Sequence, residues 1–442
     1  MTDAPVKLSR FRADVSRALA RRGKTLLESN QLRQEVEALE PLEAYFIVKE
    51  LGIEEAMPIL HAATGLQLQT FVDLDCWNGD RPDPVELDAW LAAFSEQGPA
   101  SLAEAFNALV EDLQVLFIAA SVEIHDARDE DNVPEAKPNV PRKYTPDTYF
   151  VLDAIDAENR EINVFTLIET LYGMDLDGTF ALLMAAKWEQ VNELEEQALH
   201  FRSGRLQDLG FPPLIEAQAI FAVPPSVPPA NQRKIDPIPT SLPALYAEPF
   251  KRSSLFTRAL GRISDEAALT AIESDIVYLV NAALVAYGES PRDIVHVAEI
   301  AERVCGTLSL GLETLLSAAK PLEYPGGEQA AQDAALLLHD WALRDIFRHG
   351  HQTALPLRAE SVALTQISAV TQWLAEPDTE KDDYSRDRLD KELLRALLLR
   401  TPMNAGFDPL APKRRRAIAS SEDIAEIEAR LRSLKNRFLG EN

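Results

Sequence analysis

Cysteine, glycine and histidine are scarce in this chain, and each shortage argues against one class of protein. The two cysteines, Cys76 and Cys305, lie far apart and form no CxxC pair. They offer no disulfide framework, as expected of a protein in a reducing compartment. Eighteen glycines are few for a sheet protein full of tight turns, and seven histidines leave little material for acid–base catalysis.

Several motifs are also missing. The chain has no Gly-rich phosphate loop, no HExxH, no GxSxG and no dinucleotide-binding fingerprint. No uninterrupted apolar run approaches the roughly 18 residues that span a bilayer. The first residues lack the apolar core of a signal peptide. We therefore expect a cytoplasmic protein without a membrane contact and without a cofactor.

The composition predicts the fold class. Of 442 residues, 46% are hydrophobic and 26% are charged, a mixture that can bury a real core. The apolar residues are mainly Leu and Ala, which favour helix over strand. We predict an all-α protein of short stacked helices, in a superhelical or multi-lobed array with docked proline-rich connectors. The net charge of -27 disfavours nonspecific binding to nucleic acid.

Proline-rich and polar breaks divide the chain into six predicted segments, because proline removes a backbone donor and disfavours helix in the residue before it. They are a helical superhelix-like domain at 1–125, an acidic proline-punctuated linker at 126–146, a second helical segment at 147–222, a proline-rich connector at 223–249, a helical domain at 250–375, and a charged tail at 376–442. Apolar residues within and beside the connector favour docking on the helical bodies: Phe221, Val223, Ile235, Ile238, Leu242, Leu245 and Tyr246.

Apolar residues recur at helical spacing between the breaks. Three such stripes begin at Leu87, Ile276 and Ile294, and each must be buried against another helix. Short helices are expected at 42–51, 54–63 and 67–73, with Gly-containing corners between them. Start signals predict further helices from four capping sequences: Asp83-Pro84, Ser101 with Glu104, Thr145-Pro146 and Ser290-Pro291.

The N-terminal segment resembles known families. The sequence LEPLEAYFIVKELGIEEAMPIL at 39–60, followed by LQLQTFVDLD at 66–75, is similar to the superhelical N-terminal domain of bacterial magnesium transporters and of the flagellar motor switch protein. With DLDCWNGDRPDP at 73–84, the chain more closely resembles an uncharacterised bacterial family of all-helical cytosolic proteins. No transmembrane region follows, which excludes a magnesium channel. The resemblance implies a fold and no catalytic residues.

An Asp-rich corner is the densest group of candidate ligands. Asp73, Asp75, Asp80 and Asp83 offer oxygen ligands of the kind that Mg²⁺ or Ca²⁺ prefers. Cys76 would be a nucleophile if His61 lay beside it. The alternative is a turn, in which Asn78-Gly79 permits a positive φ, Asp83 caps the next helix and Trp77 anchors the corner in the core.

Histidines form a second candidate site. His349 and His351 flank Gly350, and they would bind a transition metal if His339 joined them. The alternative is a core position for His339, in an apolar stripe with Leu336 and Leu343, and two exposed histidines further on, where Gly350 is expected to end the helix. The sequence MDLDG at 174–178 departs from a calcium loop and predicts a turn between helices.

The last helix carries an apolar seam at alternating spacings of three and four: Ile424, Ile427, Leu431, Leu434 and Phe438. At about two heptads it is too short to be stable alone. The seam either docks on the protein's own body or binds a partner, which includes a second copy. Basic residues gather near both ends of the chain, at 10–24 and at 413–416, where they either contact the acidic body or bind nucleic acid.

The function expected from these features is a non-catalytic helical scaffold or adaptor that binds another protein. One alternative is a metal-dependent or hydrolytic enzyme that uses the Asp73–Asp83 corner. Another is a nucleic-acid-associated regulator that acts through its basic ends.

Overall fold

A computed structural model describes residues 10–128, 133–228, 243–247, 254–319, 327–376, 386–408 and 413–440, with the side chains of 10–16 and 244 excepted. The chain divides into two compact units, with Arg17–Leu209 in one and Gly210–Asn442 together with Met1–Ser16 in the other. We call them the N-terminal unit and the C-terminal unit. The predicted boundaries of the six segments remain predictions.

The predominantly α-helical fold is confirmed. The N-terminal helices are α1 (Arg10–Leu27), α2 (Leu32–Glu37), α3 (Pro41–Leu51), α4 (Ile53–Ala62), α5 (Gly65–Asp75), α6 (Pro84–Ser95), α7 (Pro99–Asn107), α8 (Glu111–Ser121), α9 (Val164–Met174), α10 (Leu176–Trp188) and α11 (Val191–Asp208). Five strands accompany them: β1 (Trp77–Asn78), β2 (Arg81–Pro82), β3 (Val122–Asp126), β4 (Arg142–Tyr144) and β5 (Phe150–Ala154).

The three short helices expected at 42–51, 54–63 and 67–73 are α3, α4 and α5. Gly52 separates the first two with a φ of +81°, a left-handed conformation that favours glycine. Thr64 and Gln67 form a capping box that starts α5. The predicted start of α6 is also confirmed, since Asp83 Oδ1 accepts hydrogen bonds from the main-chain nitrogens of Val85 and Glu86.

Two other predicted starts are displaced. Helix α7 begins at Pro99 after a Gly98 N-cap, which places Ser101 inside the first turn. The helix predicted at Ser290-Pro291 begins at Ile294, because the Asp293 side chain takes the capping role and accepts from the nitrogens of Val295 and His296. In both regions the residue that caps the helix, Gly98 or Asp293, lies three residues from the predicted cap.

A small sheet in the N-terminal unit was not predicted. Strand β5 lies between β3 and β4, antiparallel to both. The helix predicted at Thr145-Pro146 is wrong: the Thr145 hydroxyl donates to Asp147 and the chain turns there from β4 into β5. The expected linker 126–146 thus contributes one edge strand to the sheet.

The C-terminal unit contains α12 (Leu214–Gln218), α13 (Ala244–Ala247), α14 (Leu255–Leu260), α15 (Glu266–Tyr287), α16 (Ile294–Ala319), α17 (Glu328–Asp340), α18 (Leu343–Thr365), α19 (Ser368–Ala375), α20 (Arg386–Leu397) and α21 (Ser421–Leu439). Strands β6 (Asn404–Ala405) and β7 (Arg415–Arg416) form a short antiparallel pair. Single 3-10 turns lie at Ala157–Asn159 in the N-terminal unit and at Ala219–Phe221 in this one.

Helices α16 and α18 cross at a pair of glycines. A Cβ atom at Gly311 would collide with the main-chain oxygen of Ile346, and one at Gly350 would collide with that of Thr307. The two backbones therefore touch where both residues lack a side chain. Because α18 continues through Gly350, the expectation that a helix ends there is wrong.

Part of the proline-rich region is docked on the C-terminal unit. Arg348 donates two hydrogen bonds to the main-chain oxygen of Ala219, and Phe221 packs near Tyr287 and His351. Leu245 and Tyr246 are fully buried, whereas Val223 is 80% exposed. The other apolar residues of the predicted docking segment, Ile235, Ile238 and Leu242, lie outside the described residues.

Among the described residues, one helix is long and apolar enough to cross a bilayer. It is α15, whose most apolar window has a mean hydropathy of 1.5 and is 61% buried. A central core helix has the same properties, and the predicted stripe that begins at Ile276 is indeed buried along α15.

Candidate functional site

The structure divides the predicted Asp-rich corner between core and surface. Asp73 and Asp75 are buried at the end of α5, whereas Asp80 is exposed in the β1–β2 turn. Asp83 is half-buried and its carboxylate caps α6. The four carboxylates therefore have separate environments and separate uses.

Arginine neutralises Asp73. Arg205 donates from Nε to Asp73 Oδ2 at 2.6 Å and from Nη2 to Oδ1 at 2.8 Å. Gln69 adds a third hydrogen bond to Oδ1 at 3.0 Å. Arg202 donates to the main-chain oxygen of Asp73 and lies 4.5 Å above the Trp77 ring, and its burial lowers its pKa to about 10.

Asp75 is held by three side chains. It accepts hydrogen bonds from Tyr45 Oη at 3.1 Å, Trp90 Nε1 at 2.8 Å and Lys49 Nζ at 3.0 and 3.1 Å. A cation at this corner would have to displace Lys49 and Arg205 from two buried carboxylates, which is costly. The geometry is that of a packed turn anchored by Trp77, which is 4% exposed.

The predicted partnership between Cys76 and His61 is replaced by other contacts. His61 Nε2 donates to the main-chain oxygen of Ala93, and its Nδ1 contacts the side-chain amide of Gln97. Both ring nitrogens are thus engaged away from the buried Cys76 thiol.

A carboxylate that the sequence analysis did not single out lines a cavity of the N-terminal unit. Asp88 in α6 is 2% exposed and lies on the wall of a cavity of about 300 Å³, which we call the Asp88 pocket. The end of β5, the loop that follows it and the start of α9 supply most of the remaining wall: Ala154, Ile155, Ala157, Arg160, Glu161, Ile162, Asn163, Val164 and Phe165.

Two polar atoms of this pocket are buried without a partner. Asp88 Oδ2 accepts a hydrogen bond from the main-chain nitrogen of Glu161 at 2.6 Å, but Oδ1 accepts none. Arg160 donates from Nη1 to the oxygen of Pro84 and from Nη2 to that of Ala120, while its Nε–H is unpaired. Unpaired buried groups are rare in folded proteins and each costs about 1–3 kcal/mol.

Burial raises the pKa of the Asp88 carboxyl above its ordinary value, and the main-chain hydrogen bonds from Glu161 and Ile162 and the Arg160 charge only partly oppose that effect. Desolvated carboxyl groups on cavity walls are typical of functional sites. The raised pKa and the unpaired oxygen both indicate a group that the fold leaves unsatisfied.

An apolar cavity adjoins the Asp88 pocket. It has a volume of about 130 Å³, and its lining, which we call the apolar cleft, comprises Pro82, Pro84, Leu87, Leu113, Leu116, Phe117, Ala119, Ala120, Val191 and Glu195. Arg160 separates the two cavities, since its hydrogen-bond acceptors Pro84 and Ala120 belong to the cleft. Neighbouring residues of α6, Leu87 and Asp88, line one cavity each.

A model of a protein family of unknown function, DUF6178, matches residues 2–437. The chain belongs to the DUF6178 family. No curated protein and no solved structure matches it. The similarity of its N-terminal part to magnesium transporters and the motor switch protein remains a prediction, and a function for this DUF6178 protein has to be argued from its geometry.

One group of side chains has the spacing of a metal site. Among the described residues, only Glu123, His125 and Asp153 form a set of three potential ligands, with ligand atoms within 4.8 Å of one another. Arg142 holds both oxygens of Asp153 at 2.5 and 2.6 Å and lowers its pKa, and Lys137 pairs with Glu123 at 3.0 Å. These cations occupy the carboxylates that a metal would need.

The candidate histidines do not converge. The predicted positions are reversed: the side chain of His339 is 85% exposed at the end of α17, while His351 is 5% exposed within α18. Trp341 ends α17, so the stripe from Leu336 to Leu343 is split between two helices. His349 donates to the main-chain oxygen of Pro225 at 3.1 Å and helps to dock the proline-rich segment.

The seam of the last helix is covered by its own unit. Ile427, Leu431 and Leu434 of α21 are at most 3% exposed within a core that also contains residues of α18, α19 and α20. Ile424 and Phe438 pack against the same core. Of the two alternatives for this seam, the structure has docking on the protein's own body.

Three of the described basic residues near the chain ends contact the protein itself. Arg22 pairs with Glu43 at 3.1 Å, and Arg416 pairs with Asp423 at 2.6 Å. Arg414 and Arg416 both lie over the ring of Phe407. The side chains of Arg10 and Arg12 lie outside the described residues.

Sequence reasoning missed Asp88 and Arg160, although one signal was present. Asp88 lies one residue after Leu87 and three before Leu91, on the apolar side of α6. An isolated carboxylate inside an apolar stripe is uncommon, because burying it unpaired is costly. In the sequence, two helices and all three strands of the sheet lie between Asp88 and Arg160. No spacing pattern therefore predicts that the two side chains lie close together.

Proposed function

We propose that this protein is a non-catalytic helical adaptor, and that the Asp88 pocket and the apolar cleft together receive a segment of a protein partner. The observation that carries the proposal is the adjacency of two cavities, of about 300 and 130 Å³, on the two sides of Arg160.

The arrangement of the two cavities favours an extended segment over a compact ligand. The Asp88 pocket and the apolar cleft lie on the two sides of Arg160, so neighbouring groups of one chain can enter both. Exposed apolar side chains stand at each: Ile155 of the Asp88 pocket is 41% exposed, and Val191 of the cleft is 47% exposed. Protein interfaces combine such apolar contacts with a few buried polar anchors.

The chemistry of a hydrolytic enzyme receives less support. Cys76 and His61 are not paired with each other, and the buried carboxylates of the Asp-rich corner are neutralised by Arg205 and Lys49. We also place the adaptor in the cytoplasm, since Cys76 and Cys305 are not joined in a disulfide. The buried seam of α21 moves our expected partner site from that helix to the N-terminal unit.

The test is a selection from a peptide-display library on the full-length protein, with counter-selection on Ala157→Trp. Ala157 is an exposed residue of the pocket wall, so the indole fills the pocket from the solvent side and leaves the core intact. Selected peptides should bind the wild-type protein and lose at least about tenfold in affinity on Ala157→Trp.

Glu104→Gln is the matched control, because Glu104 is an exposed residue of α7 that lines neither cavity. Peptides should bind this variant as they bind the wild type. Failure to enrich any peptide, or enrichment of peptides that bind Ala157→Trp equally well, would overturn the proposed function.

A further inference from the structure

The apolar cleft has one charged residue on its wall. Of the described residues that line it, Glu195 of α11 alone carries a charge, and the others are proline, alanine, valine, leucine and phenylalanine. Within the described part of the chain, the ion-pair partner of Glu195 is Arg81, at 3.4 Å. Arg81 is 73% exposed, so solvent screens the pair and a bound cation can replace it at little cost.

The rest of the cleft wall suits an aliphatic group. Its three leucines, Leu87, Leu113 and Leu116, are at most 8% exposed, and the cavity between them has a volume of about 130 Å³. A branched aliphatic side chain that enters this cavity loses its contact with water, which favours binding. Val191 lies four residues before Glu195 on α11, so both line the cleft from the same face of the helix. A group in the cavity therefore lies beside a carboxylate.

The surface around both cavities is acidic. Exposed carboxylates lie in the loop that borders the Asp88 pocket and on the helix that borders the cleft: Asp156, Glu158, Glu161, Glu193 and Glu196. Arg160, the cation between the cavities, is engaged with two main-chain oxygens. The whole chain has a net charge of -27. Such a surface attracts positively charged segments and repels negatively charged ones.

We infer that the apolar cleft binds a basic segment of the partner, with a branched aliphatic side chain in the cavity and a lysine or arginine side chain paired with Glu195. This inference rests on the proposed function, and it specifies the chemistry of the segment that is recognised. The cation of the partner replaces Arg81 beside Glu195. The surrounding carboxylates raise the rate of encounter with basic segments and disfavour acidic ones.

Three small probes that share a branched tail and differ in charge test this chemistry on the full-length protein. They are protonated 3-methylbutan-1-amine, neutral 3-methylbutan-1-ol and the anion 3-methylbutanoate. Ligand-observed NMR titrations at pH 7 and about 30 mM salt compare them, since exposed charges are weakly screened there. The ammonium should bind at least about threefold more tightly than the alcohol, and the carboxylate should bind more weakly than the alcohol.

Two variants assign the two parts of the site. Glu195→Gln removes the charge and keeps the shape of the side chain, so the preference for ammonium over alcohol should disappear while the alcohol binds as before. Ala119 is a half-buried residue of the cleft wall, and Ala119→Leu fills the cavity. All three probes should lose at least about fivefold in affinity for that variant. Glu104→Gln, the matched control, should keep the wild-type affinities.

The results separate this inference from the proposed function. Equal binding of ammonium and alcohol to the wild type, a preference retained in Glu195→Gln, or no binding of any probe would overturn the basic-segment assignment. So would self-association of the wild type that Ala119→Leu abolishes, because a second copy would then occupy the cleft. In each case, selected peptides without a basic residue that still lose affinity on Ala157→Trp would leave the adaptor function standing. Melting curves establish that the variants are folded.

Discussion

Arg205 of α11 holds the carboxylate of Asp73 in α5 through two hydrogen bonds, at 2.6 and 2.8 Å. The carboxylate is 1% exposed, so the pair lies inside the N-terminal unit and joins two helices that are far apart in sequence. Removing the arginine leaves a buried negative charge without its cation.

Arg205→Met keeps the apolar stem of the side chain and removes its charge. We expect the free energy of unfolding to fall by about 3 kcal/mol, because the carboxylate of Asp73 stays buried. Urea denaturation measures this change. Arg81→Met is the control, since Arg81 is 73% exposed and its pair with Glu195 at 3.4 Å contributes at most about 1 kcal/mol.

An unchanged stability in Arg205→Met would contradict the structural role of this pair. So would a rise in the melting temperature of the wild-type protein on addition of Mg²⁺, Mn²⁺ or Zn²⁺ that is lost in Asp73→Asn. That result would indicate that the Asp-rich corner binds a cation after all.

The elements that the sequence predicted well are those with local signals. Asp83 followed by Pro84 begins α6, and the stripe from Leu87 to Phe94 is buried as its period requires. The strands were missed for a physical reason: β3 and β5 are five residues each and are stabilised by pairing across a long loop. The apolar run at the start of β5 fits a buried helix equally well, and β3 contains only two apolar residues, Val122 and Ile124.

The candidate site depended on contacts that sequence spacing does not encode. Asp73 was recognised as a candidate ligand, but the arginine that neutralises it comes from α11. Asp88 and Arg160 lie near each other only because the chain returns from the sheet to the start of α6. His351 was expected to be exposed, because Gly350 was interpreted as a helix end and not as a crossing point with α16.

The buried face of α21 supplies a further test. Leu431 is fully buried in the C-terminal core, and Leu431→Ala should reduce the free energy of unfolding by about 3 kcal/mol. The exposed neighbour Arg432→Ala should change it by less than about 0.5 kcal/mol. If Leu431→Ala were equally mild, the seam would not be part of the folded core and would again be a candidate for a partner.

His351 should make stability depend on pH. Burial lowers its pKa from 6.5 to about 4, and the positive charge of Arg400 adds to the effect. The unfolded chain then binds a proton that the folded protein rejects, so stability is complete above pH 6.5 and falls as the pH drops toward 4. The contribution of His351 over this range is about 3 kcal/mol.

His351→Phe should remove that part of the pH dependence, because phenylalanine does not titrate and can still pack against Phe221. Chemical denaturation at pH 7 and pH 4.5 compares the variant with the wild type. His339→Gln, at an exposed histidine, should retain the wild-type slope. An identical slope in all three proteins would mean that His351 is not the titrating group.

Asp88 should reduce stability at neutral pH. Its pKa is raised in the folded protein, so the protonated carboxyl contributes fully to stability below the ordinary pKa of 3.8. This contribution is lost as the pH rises through the raised pKa and the carboxyl ionises. Asp88→Asn should therefore increase the free energy of unfolding by about 1 kcal/mol at pH 7, with no gain near pH 3.5. A loss of stability at pH 7 would instead give the ionised carboxylate a structural role.

The central claim is that the Asp88 pocket is a binding site, and a fluorine label at its mouth tests this most directly. Ala157→Cys introduces an exposed thiol for a trifluoromethyl tag, while the native Cys76 and Cys305 are buried. Addition of a selected peptide should shift the ¹⁹F resonance of this tag and leave a tag at Glu104→Cys unchanged. A silent tag at residue 157, or equal shifts at both positions, would contradict the account.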